Sequence, residues 1–363
     1  MRIVVVTDAW FPQINGVVRT LHTLKTRLEA RGHEVVTITP ETFRTVPCPT
    51  YPEIRLALKP RRKMAETIER FRPCVVHIAT EGPLGLAARG YCQAVQVPFT
   101  TAFHTKFPEY INARFRVPVG LGYRLMRWFH GPSKAVMVAT QTVEDELHRH
   151  GITHTRRWTR GVDTDLFRPR DKAALDLPHL ADLPRPILLS VGRVAVEKNI
   201  SAFLDLDVPG SKVVVGDGPQ LEELRRRHPG VRFVGARQGE DLAAHFAYAD
   251  AFVFPSLTDT FGLVLLEALA SGVPVAAFPV PGPLDVIGSA PVGCLDKDLK
   301  VAVEKALSAD PKACRAHAET FSWEASVDQF LSNVFPFDPA VLDAAPGTAA
   351  PAKVARPMSQ QPG

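Results

Sequence analysis

Cysteine is sparse, and what there is does not pair: the five residues, at 48, 74, 92, 294 and 314, share no spacing and gather no histidine cluster. That excludes a disulfide framework and a Cys/His zinc site, and fits reduced thiols in a cytosolic protein. No apolar run approaches the roughly 18–20 residues that span a bilayer. Residues 1–8 offer too short an apolar start, cut by Asp8, for a secretory leader. The first strand-like run and the helical pattern behind it lack a G-x-G-x-x-G fingerprint, which argues against a nicotinamide enzyme. Internal repeats are missing too, as is any nucleic-acid-binding module, so nucleic acid is not an expected partner.

What is present describes an ordinary globular α/β chain. Its 363 residues, 45% hydrophobic and 22% charged, suffice for two domains with a core each. Charge is unevenly shared. Residues 1–182 carry 27 Lys and Arg against 17 Asp and Glu, whereas residues 183–363 carry 16 against 21, so the basic half should face an anionic partner. Apolar runs at 3–6, 34–38, 74–78, 99–102 and 135–138, with helical patterns between them, predict a doubly wound parallel sheet. Runs at 187–191, 212–215, 231–235 and 251–254 predict a second. The expected organisation is a Rossmann-like domain over 1–176, a proline-rich linker at 177–186, and a second Rossmann-like domain over 187–320. Beyond a helix near 321–335, the Ala/Pro-rich tail 338–363 has too few large apolar residues to pack and is expected to be disordered.

Residues 255–270, PSLTDTFGLVLLEALA, organise the chain. An apolar strand runs into a polar loop, and the loop opens a helix so apolar that it must be largely buried. Asp259 sits in the loop and Glu267 eight residues later, in the helix. A carboxylate among Val264, Leu265, Leu266, Ala268 and Leu269 loses hydration on folding and needs hydrogen-bond donors, which the hydroxyls of a ligand would supply. Free N–H groups near Phe261, Gly262 and Leu263 make an anion site at the helix start. The plain alternative has Asp259 capping the helix and Glu267 pairing with an Arg or Lys elsewhere. Upstream, residues 192–199 place Arg193 and Lys198 five apart in a strand-to-helix loop, where they can converge on one diphosphate or simply sit in solvent.

Together with Ser271-Gly272-Val273-Pro274-Val275, the acid-x7-acid stretch resembles the motif of retaining glycosyltransferases of family four, which have the GT-B fold: two Rossmann-like domains facing a cleft. Residues 192–199 resemble the family's G-R-x-x-x-x-K-N, residues 160–167 its G-V-D turn, and residues 216–219 its G-x-G-P. Asp259 stands where the family usually has Glu. The resemblance covers residues 1 to about 335 and implies a metal-independent hexosyltransferase whose donor is a UDP- or GDP-hexose, with no cofactor. It implies that Arg193 and Lys198 neutralise the leaving diphosphate with the helix start at 261–263. Glu267 would then hold the ribose, and Asp259 and His104 would position the hexose, with Asn15 and Gly16 across the cleft. The helix near 321–335 would cross back to the first domain. The N-terminal portion is similar to GDP-mannose-dependent mannosyltransferases and lipid glycosyltransferases, which implies a lipid acceptor reached peripherally at the inner face of the cytoplasmic membrane. A polysaccharide or small soluble acceptor stays open, as does a non-catalytic nucleotide-sugar sensor on the same scaffold.

Two basic stretches bear on the acceptor. Arg55, Lys59, Arg61, Arg62, Lys63, Arg70 and Arg72 crowd one region, and Arg114, Arg116, Arg124 and Arg127 interleave with Phe115, Tyr123, Trp128 and Phe129. Leu121, Leu125, Trp128 and Phe129 read as a helical stripe with Arg124 and Arg127 off it. Such a face can lie on an anionic membrane, or pack on its own sheet with the arginines in solvent. Both readings stay open.

Overall fold

A computed structural model describes residues 1–344 except 14 and 49–50, with backbone alone at 51–53, 110, 113–115 and 344. The first six-stranded sheet is built from β1 (Arg2–Val6), β2 (Glu34–Ile38), β5 (Val75–Ile78), β6 (Thr100–Phe103), β7 (Ala135–Val138) and β8 (Thr155–Arg157), in the order 2-1-5-6-7-8. A small antiparallel hairpin, β3 (Thr45–Cys48) with β4 (Tyr51–Ala57), lies between them in sequence. The second six-stranded sheet comprises β9 (Ile187–Val191), β10 (Ser211–Val215), β11 (Arg232–Gly235), β12 (Ala251–Phe254), β13 (Val275–Ala277) and β14 (Gly293–Leu295), in the order 11-10-9-12-13-14. Every pairing in both large sheets is parallel. Helices cover both faces of such sheets, and for that reason Ile3 to Val6 and Ala251 to Phe254 are apolar on successive residues and buried throughout.

Strand order places the site. In the first sheet it reverses between β1 and β5, in the second between β9 and β12. Open α/β sheets bind ligands beyond the carboxyl ends of the strands at such a reversal. The loop with Arg193 and Lys198 leaves β9, and the loop with Asp259 leaves β12. Gly218 belongs to this packing and makes no dinucleotide loop: a Cβ there would lie 2.4 Å from the Val194 carbonyl oxygen, so only glycine lets the turn after β10 pass against the β9 loop.

The helix Trp323–Asn333 returns to the first sheet. Phe330 and Val327 bury among Ile3, Leu21, Leu24 and Trp158, and the Trp158 indole donates to Ser326 Oγ at 3.1 Å. Among the described residues the chain passes between the two units near 159–163 and again near 319–323, side by side, with Val162 N–H donating to the Phe321 carbonyl at 3.2 Å. The proline-rich segment 177–186 is no free strap: Leu177 and Leu180 are buried in the second core, and Asp250 holds Lys172 at 2.6 Å and Arg185 at 2.7 Å on either side.

Two expectations are corrected. Residues 338–344, read as the start of a disordered tail, form a short turn (Pro339–Ala344) that seats Leu342 in the first core and pairs Asp343 with Arg72, because one leucine is enough to anchor a turn that the composition calls unpackable. Residues 345–363 of that tail lie outside the described residues. The helix Val119–His130 buries Tyr123, Met126 and Phe129 and leaves Leu121, Leu125 and Trp128 outward at 56%, 48% and 53% exposure, so Phe129 leaves the stripe and Met126 joins the core face.

Candidate active site

Gly262 (φ 81°) takes the left-handed conformation that turns the β12 loop into the helix Leu263–Ala270. That helix is buried from Leu265 to Ala270, and Glu267 is buried with it at 2% exposure. Its two oxygens have different fates. Oε1 receives the guanidinium of Arg19, which comes from the first helix, Gly16–Ala30, on the opposite side of the cleft. Oε2 is buried with no partner among the described residues. The pairing with a distant arginine is therefore real for one oxygen, and the other still lacks the donor that a buried carboxylate oxygen requires. A cavity of about 150 Å³ opens here, lined by Arg19, Val162, Asp163, Leu263, Glu267 and Trp323.

Asp259 does not cap the helix. Its carboxylate takes Lys198 Nζ at 2.6 and 2.8 Å. Around this pair the two loops are sewn together: Ser256 Oγ and Thr258 Oγ1 donate to the Glu197 carbonyl, and Asn199 Nδ2 donates to the Pro255 carbonyl at 3.1 Å. Arg193 lies half-buried in the same loop. Two motifs separated in sequence thus meet through Lys198 and Asp259 next to the start of the helix Leu263–Ala270.

The first unit closes over it. Thr260 Oγ1 donates to the His104 carbonyl at 2.7 Å, and Thr140 Oγ1 donates to the Thr260 carbonyl at 3.2 Å. Asp285, from the second unit, accepts from the backbone N–H groups of Gln141 (2.8 Å) and Thr142 (3.2 Å) at the start of the helix Gln141–Arg149. Gly16 faces the acid helix, where a Cβ would touch Leu263 Cδ1 at 3.7 Å. Asn15 next to it is engaged as the helix cap: Oδ1 accepts from Val18 N–H at 3.0 Å and Nδ2 donates to Gln13 Oε1 at 3.2 Å. His104 follows β6. Its Nδ1 lies 3.1 Å from an Arg160 guanidinium nitrogen, Nε2 is buried without a partner among the described residues, and burial together with the Arg160 charge holds its pKa well below the ordinary value. Behind it, burial raises the Asp8 pKa against three hydrogen bonds, from Leu84 N–H, Thr80 Oγ1 and Gly85 N–H, which tie that acid to the start of the helix Pro83–Ala94.

Arg19, Arg160 and Thr260 are the groups that sequence reading missed. Arg19 had a signal: a carboxylate placed among leucines demands a cation, and Arg19 lies one helical turn beyond Gly16 on the facing helix. Arg160 had none, since an arginine ahead of a glycine turn looks like any surface residue.

Residues 14–166 match Glycosyltransferase Family 4 and residues 185–309 match Glycosyl transferases group 1. A GDP-mannose-dependent alpha-mannosyltransferase of Mycobacterium tuberculosis is 30% identical, over 79% of this chain and 81% of that protein. The chain belongs to the family 4 glycosyltransferases. It is therefore a retaining hexosyltransferase that uses a nucleotide-sugar donor. The alpha-monoglucosyldiacylglycerol synthase of Streptococcus pneumoniae is 28% identical to this glycosyltransferase over 93% of the chain and 85% of that protein. Sulfoquinovosyl transferase SQD2 of Arabidopsis thaliana is 30% identical, but this chain spans only 59% of its length. Among solved structures, sucrose-phosphate synthase from Thermosynechococcus elongatus superposes with a TM-score of 0.72 at 24% identity, over 91% of this chain and 97% of that one. HepE of Anabaena, solved with UDP and glucose, gives 0.68 at 16%, over 91% and 98%. These likenesses establish the GT-B fold.

Proposed function

We propose that this glycosyltransferase moves a hexose, mannose or glucose, from a GDP or UDP donor onto a membrane lipid while resting on an anionic bilayer. The observation that carries the lipid acceptor is the outward stripe Leu121, Leu125 and Trp128, flanked by the exposed Arg124 and Arg127. Three large apolar side chains on one helix face between two cations suit the interface of an anionic leaflet, where each near-surface cation adds about 1 kcal/mol. The helix is rigidly seated. Gly122 packs on Pro108, a few residues beyond His104, and Tyr123 Oη bridges Glu109 at 2.8 Å and Glu146 at 2.7 Å. Among the described residues no helix is long and apolar enough to cross a membrane, so contact through this face is peripheral. The relatives named for diacylglycerol and for GDP-mannose point the same way.

Within the cleft, Arg193 and Lys198 take the donor's diphosphate together with the backbone N–H groups of Phe261, Gly262 and Leu263. Negative charge grows on that group as the sugar leaves, so stabilising it lowers the barrier, and two cations there supply what a divalent ion supplies in other sites. Glu267 Oε2 accepts from a ribose hydroxyl. Asp259, released by Lys198, and His104 orient the hexose, while Gly16 and Asn15 border the site from the opposite side. The deciding experiment incubates the protein with a panel of nucleotide sugars and phosphatidylglycerol-containing vesicles carrying diacylglycerol, ceramide and phosphoinositide, and identifies products by mass. Hexose appearing on lipid, and lost with Lys198→Ala at unchanged fold, supports the reading; hexose appearing only on water-soluble acceptors removes the lipid.

A further inference from the structure

We infer that Arg160 is a positioning residue that locks the His104 imidazole as an N–H donor at Nε2, offered to an oxygen of the bound hexose. The inference rests on the hexosyltransferase reading above for the identity of that oxygen, and on geometry for the rest. Every guanidinium nitrogen is a donor and none accepts. With a guanidinium nitrogen 3.1 Å from Nδ1, that ring nitrogen must present its lone pair, so the proton of the neutral ring resides on Nε2. A second proton, on Nδ1, would set two cations in contact. Nε2 is buried and has no acceptor among the described residues, so its hydrogen is free for a ligand beside the loop that Thr260 docks on the His104 carbonyl.

Arg160 is suited to this one task. It is 4% exposed, and among the described residues no carboxylate pairs with it or with His104. Its other contacts are the Trp158 carbonyl at 2.5 Å, the Thr159 carbonyl at 3.1 Å and the face of the Trp158 ring at 4.2 Å. Burial brings its pKa down to about 9, so it stays protonated at neutral pH, and no counter-ion weakens its field at His104. The remaining titratable group facing His104 is His77, which burial keeps neutral down to about pH 3. His104 therefore cannot accept the proton of an acceptor hydroxyl. Its part is to donate and orient.

Nitrogen-15 spectra of the full chain test the lock directly, with the His104 signals assigned from their loss in His104→Gln. The expected result is a bare Nδ1 and a proton-bearing Nε2 that do not titrate across the neutral range. In Arg160→Met the ring should exchange tautomers and its pKa should rise from the wild-type position while burial still holds it below the ordinary value, and kcat should fall about 3–10-fold, the worth of one neutral hydrogen bond, with donor KM little changed and the acid end of the pH profile moved upward. Arg160→Lys should restore part of kcat. If Arg160→Met does not fold, the pair His104→Gln and His104→Asn decides: glutamine, whose amide reaches the Nε2 position, should retain more kcat than asparagine, which reaches only the Nδ1 position. A wild-type proton on Nδ1, or asparagine outperforming glutamine, overturns the inference. Absence of sugar transfer by the wild type would instead overturn the functional reading and leave the spectra to decide the lock alone.

Discussion

Glu267 is held by one oxygen and idle at the other, and that asymmetry makes it the most informative single residue. With Oε2 accepting from a ribose hydroxyl, Glu267→Gln should weaken nucleoside diphosphate binding by roughly 10–100-fold, the range for a hydrogen bond to a charged group, measured by calorimetry. A 2′,3′-dideoxynucleotide should bind wild type and variant alike, and a difference between them would remove ribose from the account. Lys198→Ala should cost about 10²–10³ in kcat, the scale for losing one stabiliser of developing charge, read in steady-state assays with saturating donor. His77 makes a prediction about stability. Burial between Trp158 and Phe330 lowers its pKa from 6.5 to about 3, so below 6.5 the unfolded chain binds a proton that the folded one refuses. Stability present above pH 6.5 is lost as the pH falls, by ~2 kcal/mol at about pH 5. Urea melts of His77→Gln against wild type should show a shallower acid decline in the variant. The two acids and the Arg193/Lys198 pair were legible because each breaks an apolar or loop pattern. Arg19 and Arg160 were not, since their partners lie across the fold and sequence alone does not show which faces meet.

At the scale of elements, nine of the twelve strands of the two large sheets could be read from their apolar runs and stand within a residue or so of them, whereas β8, β13 and β14, three residues each, are too short to show such a run. The hairpin β3–β4 escaped notice because its residues are mixed in polarity and carry Pro47, and a two-stranded ribbon at the periphery needs no apolar alternation. The first basic stretch also changes meaning once its neighbours are known: Arg62 pairs with Glu66 at 2.8 Å, Lys63 reaches the Thr42 carbonyl and Arg72 holds Asp343. Those partners answer part of its charge, whereas Arg124 and Arg127 stand exposed beside their apolar stripe. For the helix Val119–His130, the double variant Leu121→Ser, Leu125→Ser should lower co-sedimentation with phosphatidylglycerol vesicles several-fold. Its melting temperature should stay within a few degrees of wild type, because neither side chain is buried. Equal vesicle binding by variant and wild type would take the membrane away from this face.

At the scale of the whole molecule, the cavity of about 150 Å³ beside Glu267 is smaller than the roughly 300–1,000 Å³ of ordinary ligand pockets. Parting of the two units would widen that cavity. Among the described residues, the polar contacts that resist that parting include Arg19 with Glu267, Thr260 with the His104 carbonyl, Thr140 with the Thr260 carbonyl, and Asp285 with the start of the helix Gln141–Arg149. Asp285→Ala removes a contact of a residue with no assigned part in the proposed chemistry, so donor KM should change several-fold while kcat at saturation holds. A large loss of kcat would instead place Asp285 at the reacting groups. The side-by-side passages of the chain, joined by the Val162 N–H to Phe321 carbonyl bond, govern how such movement can occur. Two ribbons fastened at one spot act as a single pivot, which permits swinging and resists sliding. Stapling that pivot with an engineered cross-link would arrest the cleft in one posture while leaving Arg193, Lys198, Asp259 and His104 unaltered, separating the cost of motion from the cost of chemistry at those groups.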